Sequence, residues 1–187
     1  MATQLVDLLD RLVELLRREG APVVPLLRPP ADIPITISGI VEPLVLPASV
    51  RALYEWHDGT TDIGGVAYWL FPRDWWFPPF DNALEYRAGM LDDLEFSGDM
   101  PWWQASWFPI FQAGMDSFAV DCAADNGQVW FAALSMGSAQ VVAGSIESFV
   151  EAILTAYEQG DFAVVDGRVD MAVDDDYEID LILSHLR

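Results

Sequence analysis

The sequence has no lysine, one cysteine and two histidines, and each scarcity excludes a class of protein. Because Cys122 is the single thiol, the chain cannot form an internal disulfide. No apolar run approaches the roughly 18 residues of a membrane-spanning helix, and no charged-then-apolar signal peptide is present. We therefore expect a cytoplasmic protein that does not bind membranes.

Basic side chains are few along the whole chain. Nine arginines stand against 30 acidic residues, a formal net charge of -21 at pH 7, and the first 28 residues hold four of each sign. The excess therefore lies after residue 28, and residues 88–167 contain twelve acids and no base. Because this charge repels phosphates and anionic headgroups, direct binding of nucleic acid or of a membrane surface is disfavoured. We expect a neutral or basic protein partner.

Motifs for catalysis and for metal binding are also scarce. Neither His57 nor His185 lies in a nucleophile motif, and no glycine-rich phosphate loop occurs. The acids Asp174, Asp175 and Asp176 are consecutive, which misses the alternate spacing of a calcium loop. We therefore predict a protein that is not an enzyme and needs no metal ion or cofactor.

Hydrophobic periodicity and turn residues predict the elements of the first half. The chain is acidic, but 52% of its residues are hydrophobic and 12% are aromatic, so we expect it to fold and not to be disordered. Thr3 is the expected N-cap of the first helix, and Gly20 its end. The pattern predicts a helix over 3–19, an edge strand near 35–37, a helix from Pro47 to Gly59, a strand over 66–71 and a helix from the N-cap Asp81 to about Glu95.

Short apolar runs alternate with turn signals in the second half. Between residues 107 and 142 this pattern predicts three or four neighbouring antiparallel strands, with Asn126-Gly127 as a tight turn. Ser145 opens a helix whose apolar residues share one face. A hairpin around Asp166-Gly167 and a short terminal helix over 174–187 complete the prediction.

The segment over residues 92–107 combines acids with tryptophans. Tryptophan is enriched at binding hot spots, and carboxylates around it steer a basic partner. The alternative is that the indoles fill the core, although two adjacent residues of a strand do not both point inward. Trp75 and Trp76 are also adjacent, so we likewise do not expect both of their side chains to point inward. We predict a partner surface formed by Asp92, Asp93, Glu95, Asp99, Trp102, Trp103, Asp62, Trp75 and Trp76.

The stretch LPASVRALYEWHDGT, residues 46–60, resembles the signature of the SUKH superfamily, named for the fungal Smi/Knr-type regulators of cell-wall assembly. The resemblance continues through SWFPIFQAGMDSFAVDC, GQVWF and SIESFVEAILTAYEQGDF, and it covers roughly residues 40–165. The positions that carry it are Leu46, Pro47, Gly59, Trp107, Pro109, Asp121, Gly127 and Val129.

The resemblance implies an α/β (α+β) fold in which a mixed, mostly antiparallel sheet of about five to six strands is flanked by helices. We expect one domain over residues 1–187, with the helix over 3–19 and the segment 161–187 as extensions of the family-like core. The signature residues are expected to determine the fold and not to bind a partner.

The resemblance also implies an immunity protein, which binds and neutralises a cognate toxin domain, often a nuclease. A nuclease presents basic residues to phosphates, so an acidic inhibitor would meet it quickly. Two alternatives stay open. The chain could be a regulator or scaffold of the cell-wall assembly type, or a carbohydrate-binding or carbohydrate-active protein with exposed Trp rings and paired carboxylates.

Overall fold

The structure, a computed structural model, describes residues 2–38, 43–61, 70, 72, 75–97, 102–124, 127–133, 136–171 and 184. Its helices are α1 (Ala2–Arg18), α2 (Ala48–Trp56), α3 (Phe80–Ser97) and α4 (Ile146–Gln159), with a 3-10 helix at Val24–Leu26. Its strands are β1 (Thr36–Ile37), β2 (Leu44–Val45), β3 (Trp107–Ala113), β4 (Asp116–Asp121), β5 (Val129–Ala133), β6 (Ser138–Ala143), β7 (Phe162–Val165) and β8 (Arg168–Met171).

Local signals start and end most of the helices. Pro47 is the N-cap of α2, and Ser145 begins α4 with a capping box that includes Ser148. Gly160 ends α4 in the left-handed conformation, with φ 81°. Each of these signals can be read from the sequence. The prediction for α4 is confirmed, and that for α2 is confirmed at its start, although α2 ends at Trp56 and not at Gly59.

Two predicted N-caps are wrong. Thr3 lies inside α1, which already begins at Ala2. Asp81 lies in the first turn of α3, and the carboxylate that accepts the hydrogen bond from the Phe80 N–H is that of Asp58, at 2.8 Å. Asp58 follows α2 and reaches α3 only through the tertiary fold, so local sequence does not reveal it.

The main sheet is an antiparallel meander in the order β3-β4-β5-β6. Alternate side chains point to opposite faces, as the pleat requires. On the inner face, Phe118 pairs with Phe131 and lies 4.8 Å from the ring of Phe149 on α4. On the outer face, Ala119 and Ala132 belong to a separate apolar cluster beneath α3.

Helices α1, α2 and α4 form the layer on the inner face. Buried leucines of α1 face α4 and α2, at Leu5, Leu8, Leu9, Leu12 and Leu16. A register shift between Pro109 and Phe111 places both Ile110 and Phe111 in the inner core. The inner and outer faces therefore have different cores, and α3 stands alone on the outer side among the described helices.

The structure confirms an α+β fold in one domain with mostly antiparallel strands, and it also confirms the four neighbouring strands between residues 107 and 142. The expected sheet of about five to six strands is divided differently in the described part of the chain, where β1-β2 and β7-β8 form two separate two-stranded sheets. Asp166 and Gly167 both have positive φ, which confirms the predicted terminal hairpin.

Three further predictions lie outside the described residues. They are most of the strand over 66–71, Asn126 of the predicted tight turn, and nearly all of the terminal helix over 174–187.

Candidate functional site

The outer face of the main sheet carries a layer of aromatic rings. Its buried members are Met90, Trp103, Trp107, Ala119 and Ala132, and the half-buried residues packed against them are Tyr86, Leu94, Trp102, Trp130 and Ala139. The small alanines of β4, β5 and β6 leave room for indole rings on this side of the sheet. We call this set the aromatic layer.

The rings of the aromatic layer contact one another in sequence across the sheet. Tyr86 and Trp103 meet edge to face with centroids 5.9 Å apart, Trp103 and Trp107 do the same at 5.7 Å, and Trp107 lies 4.9 Å from Trp130. These separations are typical of favourable aromatic pairs. The layer is therefore a rigid support that joins α3 to β5.

Arg87 of α3 is turned into this support. Its side chain is only 5% exposed, and it donates hydrogen bonds to the carbonyls of Trp107, at 3.1 Å, and Ala105, at 2.6 Å. Desolvation lowers the pKa of Arg87, but an arginine stays charged at neutral pH. Because Arg87 is the one base in the sequence of α3, the outward side of this helix has acids and no base.

Four exposed carboxylates line α3, at Asp81, Glu85, Asp92 and Asp93. Asp81, Glu85 and Asp92 are spaced by four and seven residues, which places them on one side of a helix. We call these four residues the acidic stripe. The stripe and the aromatic layer share α3, so charge lies beside apolar surface on the same side of the sheet.

The predicted partner surface is only partly assembled. Asp92 and Asp93 are exposed on α3, and the next residue, Leu94, contacts the same aromatic layer as half-buried Trp102. Asp62 and Asp99 lie outside the described residues, as does the side chain of Glu95.

The prediction is wrong for two tryptophans of that surface. Trp103 is 1% exposed and Trp75 is 2% exposed, so neither can contact a partner. Trp103 fills the space between α3 and the sheet, and Trp75 packs on Phe118 with ring centroids 4.3 Å apart. In each adjacent pair, one indole is buried and the other is half-buried.

Trp76 is half-buried but lies at the opposite edge of the sheet from Trp102. Its backbone exchanges hydrogen bonds with Gln112 of β3 at 2.8 and 2.9 Å, whereas Trp102 lies against Gly137 beside β6. Trp76 lines a small cavity of about 230 Å³ together with Arg28, Thr60, Thr61, Pro79 and Asn82. The two half-buried indoles therefore belong to different surfaces.

Three exposed apolar residues near the aromatic layer were missed by the sequence analysis. Met115 and Met136 are 62% and 76% exposed, and Val141 on β6 is 42% exposed. The signal for the two methionines is present in the sequence, because each adjoins a glycine in a turn between predicted strands. Exposed methionine provides an adaptable apolar contact.

The residues that carried the family resemblance occupy structural positions. Leu46 and Val129 are buried, and Asp121 accepts hydrogen bonds from Ser106 Oγ, at 2.9 Å, and from the Ala123 N–H, at 3.0 Å. Gly59 has φ +71°, and a Cβ added there would lie 2.4 Å from the Pro79 nitrogen. A further set is placed in or next to the sheet, at Pro47, Trp107, Pro109 and Gly127.

Desolvation shifts the pKa values of several groups that belong to the fold. Burial raises the pKa of Tyr54 and Tyr157 and raises that of the Cys122 thiol to about 12, so that all three are protonated at neutral pH. His57 Nδ1 contacts the Arg28 carbonyl at 2.5 Å.

Within the part of the chain that the structure describes, no group of three His, Cys, Asp or Glu residues could hold a metal ion. No helix in that part has the length and apolar character to cross a bilayer.

A comparison with known families identifies a match. The model of the SMI1 / KNR4 family (SUKH-1) matches residues 43–152, which include α2, α3, the four-stranded sheet and the first half of α4. No curated protein gives a significant match to the chain. Because the matched region is more than half of the 187 residues, the chain belongs to the SMI1 / KNR4 family (SUKH-1).

Proposed function

We propose that this protein is a non-catalytic interaction protein of immunity type, which binds and neutralises a basic toxin domain through the outer side of the main sheet. The observation that carries the proposal is the opposite placement of charges on α3. The acidic stripe is exposed to solvent, whereas Arg87 is buried and donates hydrogen bonds to two backbone carbonyls.

The uncompensated charge favours a basic partner over an acidic one. Exposed ion pairs of the described residues lie elsewhere: Arg11 with Glu158, Arg17 with Glu14, and Arg18 with Glu19. Complementary charge raises association rate constants from an unsteered range of about 10^5–10^6 M⁻¹s⁻¹ to about 10^8–10^9 M⁻¹s⁻¹ at low salt. A toxin that acts quickly after entry would have to be captured at such rates.

The aromatic layer supplies the second requirement of a tight interface. Half-buried Trp102 and Trp130 have rings held by packing, so a partner that covers them would bury apolar area at little conformational cost. A nuclease domain fits this combination, because it must expose Lys and Arg for phosphate contacts that an inhibitor can occupy.

A regulator of the cell-wall assembly type is the second candidate. It would use the same surface for a housekeeping partner and would give no protection against a toxin. The carbohydrate hypothesis is weakened by the burial of Trp75 and Trp103, since of the four tryptophans in the predicted surface only Trp76 and Trp102 remain partly exposed. The family match fits both the immunity type and the regulator type.

The experiment uses the protein encoded beside this chain, if it carries a basic C-terminal domain. That domain is expressed alone and together with this chain, and growth and binding at low salt are measured. We expect the domain to inhibit growth and the chain to restore it. A basic domain that neither binds at low salt nor loses toxicity would refute the immunity proposal, and binding without toxicity would favour the regulator.

A further inference from the structure

Among the described residues of the main sheet and its turns, the most exposed apolar side chains are those of two methionines at the ends of hairpins. Met115 follows Gly114 between β3 and β4, and Met136 precedes Gly137 at the start of β6. Both glycines have positive φ, 59° and 60°, the left-handed region that glycine adopts without steric cost. Their side chains are 62% and 76% exposed, where a soluble protein would ordinarily place polar residues.

The two hairpin ends lie at the same end of the sheet. Because the four strands form a meander, the turns after β3 and after β5 fall on one side, and the pairs Ala113↔Asp116 and Ala133↔Ser138 are the last pairs of their ladders. The centres of the two hairpins are two strand spacings apart, about 10 Å. Met115 and Met136 thus lie at the same end of the sheet, on hairpins whose centres are about 10 Å apart.

Each hairpin is held by the aromatic layer. Tyr86 on α3 donates a hydrogen bond from its hydroxyl to the Met115 carbonyl at 2.9 Å. On the other hairpin, a Cβ placed on Gly137 would lie 3.7 Å from Trp102 Cδ1, so the indole packs against the turn. Each methionine therefore lies beside a contact with the aromatic layer while its own side chain is mostly exposed, which suits an adaptable anchor.

Negative charge accompanies the methionine pair. Half-buried Asp116 adjoins Met115 and acts on the Tyr86 hydroxyl, and Tyr86 belongs to the same helix as the acidic stripe. The arginines of α1, Arg11, Arg17 and Arg18, belong to the inner layer, on the opposite side of the main sheet from α3. A partner that contacts both methionines would also lie close to Asp116 and the acidic stripe. Basic residues at the edge of its contact surface would therefore favour binding.

We propose that Met115 and Met136 are the apolar anchors of a docking surface for a basic amphipathic helix of the partner protein. Two residues seven positions apart on a helix are separated by about 10 Å, which matches the distance between the hairpins. Lys and Arg beside this apolar face would meet the acidic stripe. The inference rests on the proposed function and specifies the chemistry of the partner at the same surface.

The probe is a synthetic helical peptide of about 18 residues made of Leu, Lys and Ala, with its leucines on one face. The control peptide has the same composition with leucines distributed around the helix. The readout is the NMR signal of the methionine methyl groups at increasing peptide concentration. We expect shifts at Met115 and Met136, and none at buried Met90 or at Met171 on β8. Equal shifts with both peptides, or shifts confined to Met171, would overturn the proposal.

Matched variants test the anchor without a change of charge. The variant Met115→Ser/Met136→Ser should weaken peptide binding at least tenfold. The control Ile35→Ser/Val45→Ser removes side chains that are similarly exposed, 62% and 59%, at another place and should change affinity less than twofold. Equal affinity of the two variants would contradict the proposal. So would a wild-type dimer that the methionine substitutions dissociate, because a second copy of the chain would then be the occupant.

Charge reversal separates this inference from the proposed function. If Asp92→Lys/Asp93→Lys weakens binding of the native basic partner and the methionine variant does not, the anchor is wrong while the acidic surface stands. If the methionine variant loses the peptide but no basic toxin domain is ever bound, the docking surface stands and the immunity proposal fails.

Discussion

The carboxylate of Asp58 accepts a hydrogen bond from the backbone N–H of Phe80 at 2.8 Å, across 22 residues of sequence. The same carboxylate forms an ion pair with Arg28 at 2.9 Å. The segment that follows α2 therefore fixes the start of α3, which is the helix that carries the acidic stripe. The position of the candidate surface depends on this contact.

Removal of this cap should destabilise the protein. Asp58→Ala leaves the Phe80 N–H without its acceptor and Arg28 without its carboxylate, and we expect a loss of about 1–2 kcal/mol in the free energy of unfolding. The measurement is urea denaturation followed by tryptophan fluorescence. Asp81→Ala is the control, since that exposed residue should cost no more than about 0.5 kcal/mol. Equal losses in the two variants would mean that Asp81 caps the helix.

Gly59 should tolerate no side chain. A Cβ there would lie 2.4 Å from the Pro79 nitrogen and 2.5 Å from the Pro78 carbonyl carbon, in a residue with φ +71°. Because backbone atoms cannot move aside, Gly59→Ala should lose at least about 3 kcal/mol or fail to fold.

A matched control for this substitution is Gly20→Ala, which has φ +74° but no atom within 4 Å of the added Cβ. It should lose only about 1 kcal/mol, the cost of the left-handed conformation alone. Similar melting temperatures for the two variants would contradict the steric argument.

The elements that sequence predicts well are those with local signals. The helix α4 has its Ser145 cap, its apolar face and its Gly160 end within 16 residues, and the strands β3 to β6 alternate with recognisable turns. The candidate site is less accessible to sequence because exposure depends on the neighbours of each side chain. Adjacent tryptophans predict one inward and one outward ring, yet which of Trp102 and Trp103 lies inward is decided by α3 and by the rings of Tyr86 and Trp107.

Arg87 is expected to support the aromatic layer. Its guanidinium donates to two carbonyls, of Trp107 and Ala105, a geometry that the single ammonium of lysine does not reproduce. Arg87→Lys should cost about 2 kcal/mol and reduce the near-ultraviolet circular dichroism of the tryptophans. Arg168→Lys, at an exposed position, should change neither quantity. An unchanged near-ultraviolet spectrum in Arg87→Lys would show that the layer holds without it.

Cys122 should make stability depend on alkaline pH. Burial raises the pKa of its thiol to about 12, above the value of about 8.5 in an unfolded chain. Between these values the folded state keeps the proton and the unfolded state releases it, so stability from the thiol is present below about pH 8.5 and is lost as the pH rises towards 12.

We therefore expect the free energy of unfolding to fall more steeply between pH 8.5 and 11 in the wild type than in Cys122→Ala. Tyr54 and Tyr157, whose pKa values are also raised by burial, are present in both proteins and cancel in the difference. Urea titrations at several pH values give the comparison. Parallel pH curves would show that the thiol is not protected by burial.

The central claim is that the acidic stripe of α3 guides a basic partner, and the most direct test is the association rate constant measured by stopped flow at several salt concentrations. Asp92→Lys/Asp93→Lys should slow association with the basic domain at least tenfold at low salt and reduce its salt dependence. The matched control Asp7→Lys/Glu151→Lys makes the same change of charge at exposed positions on α1 and α4 and should have a much smaller effect. Equal slowing by the two variants would contradict a localised surface, and unchanged rates in both would contradict electrostatic guidance itself.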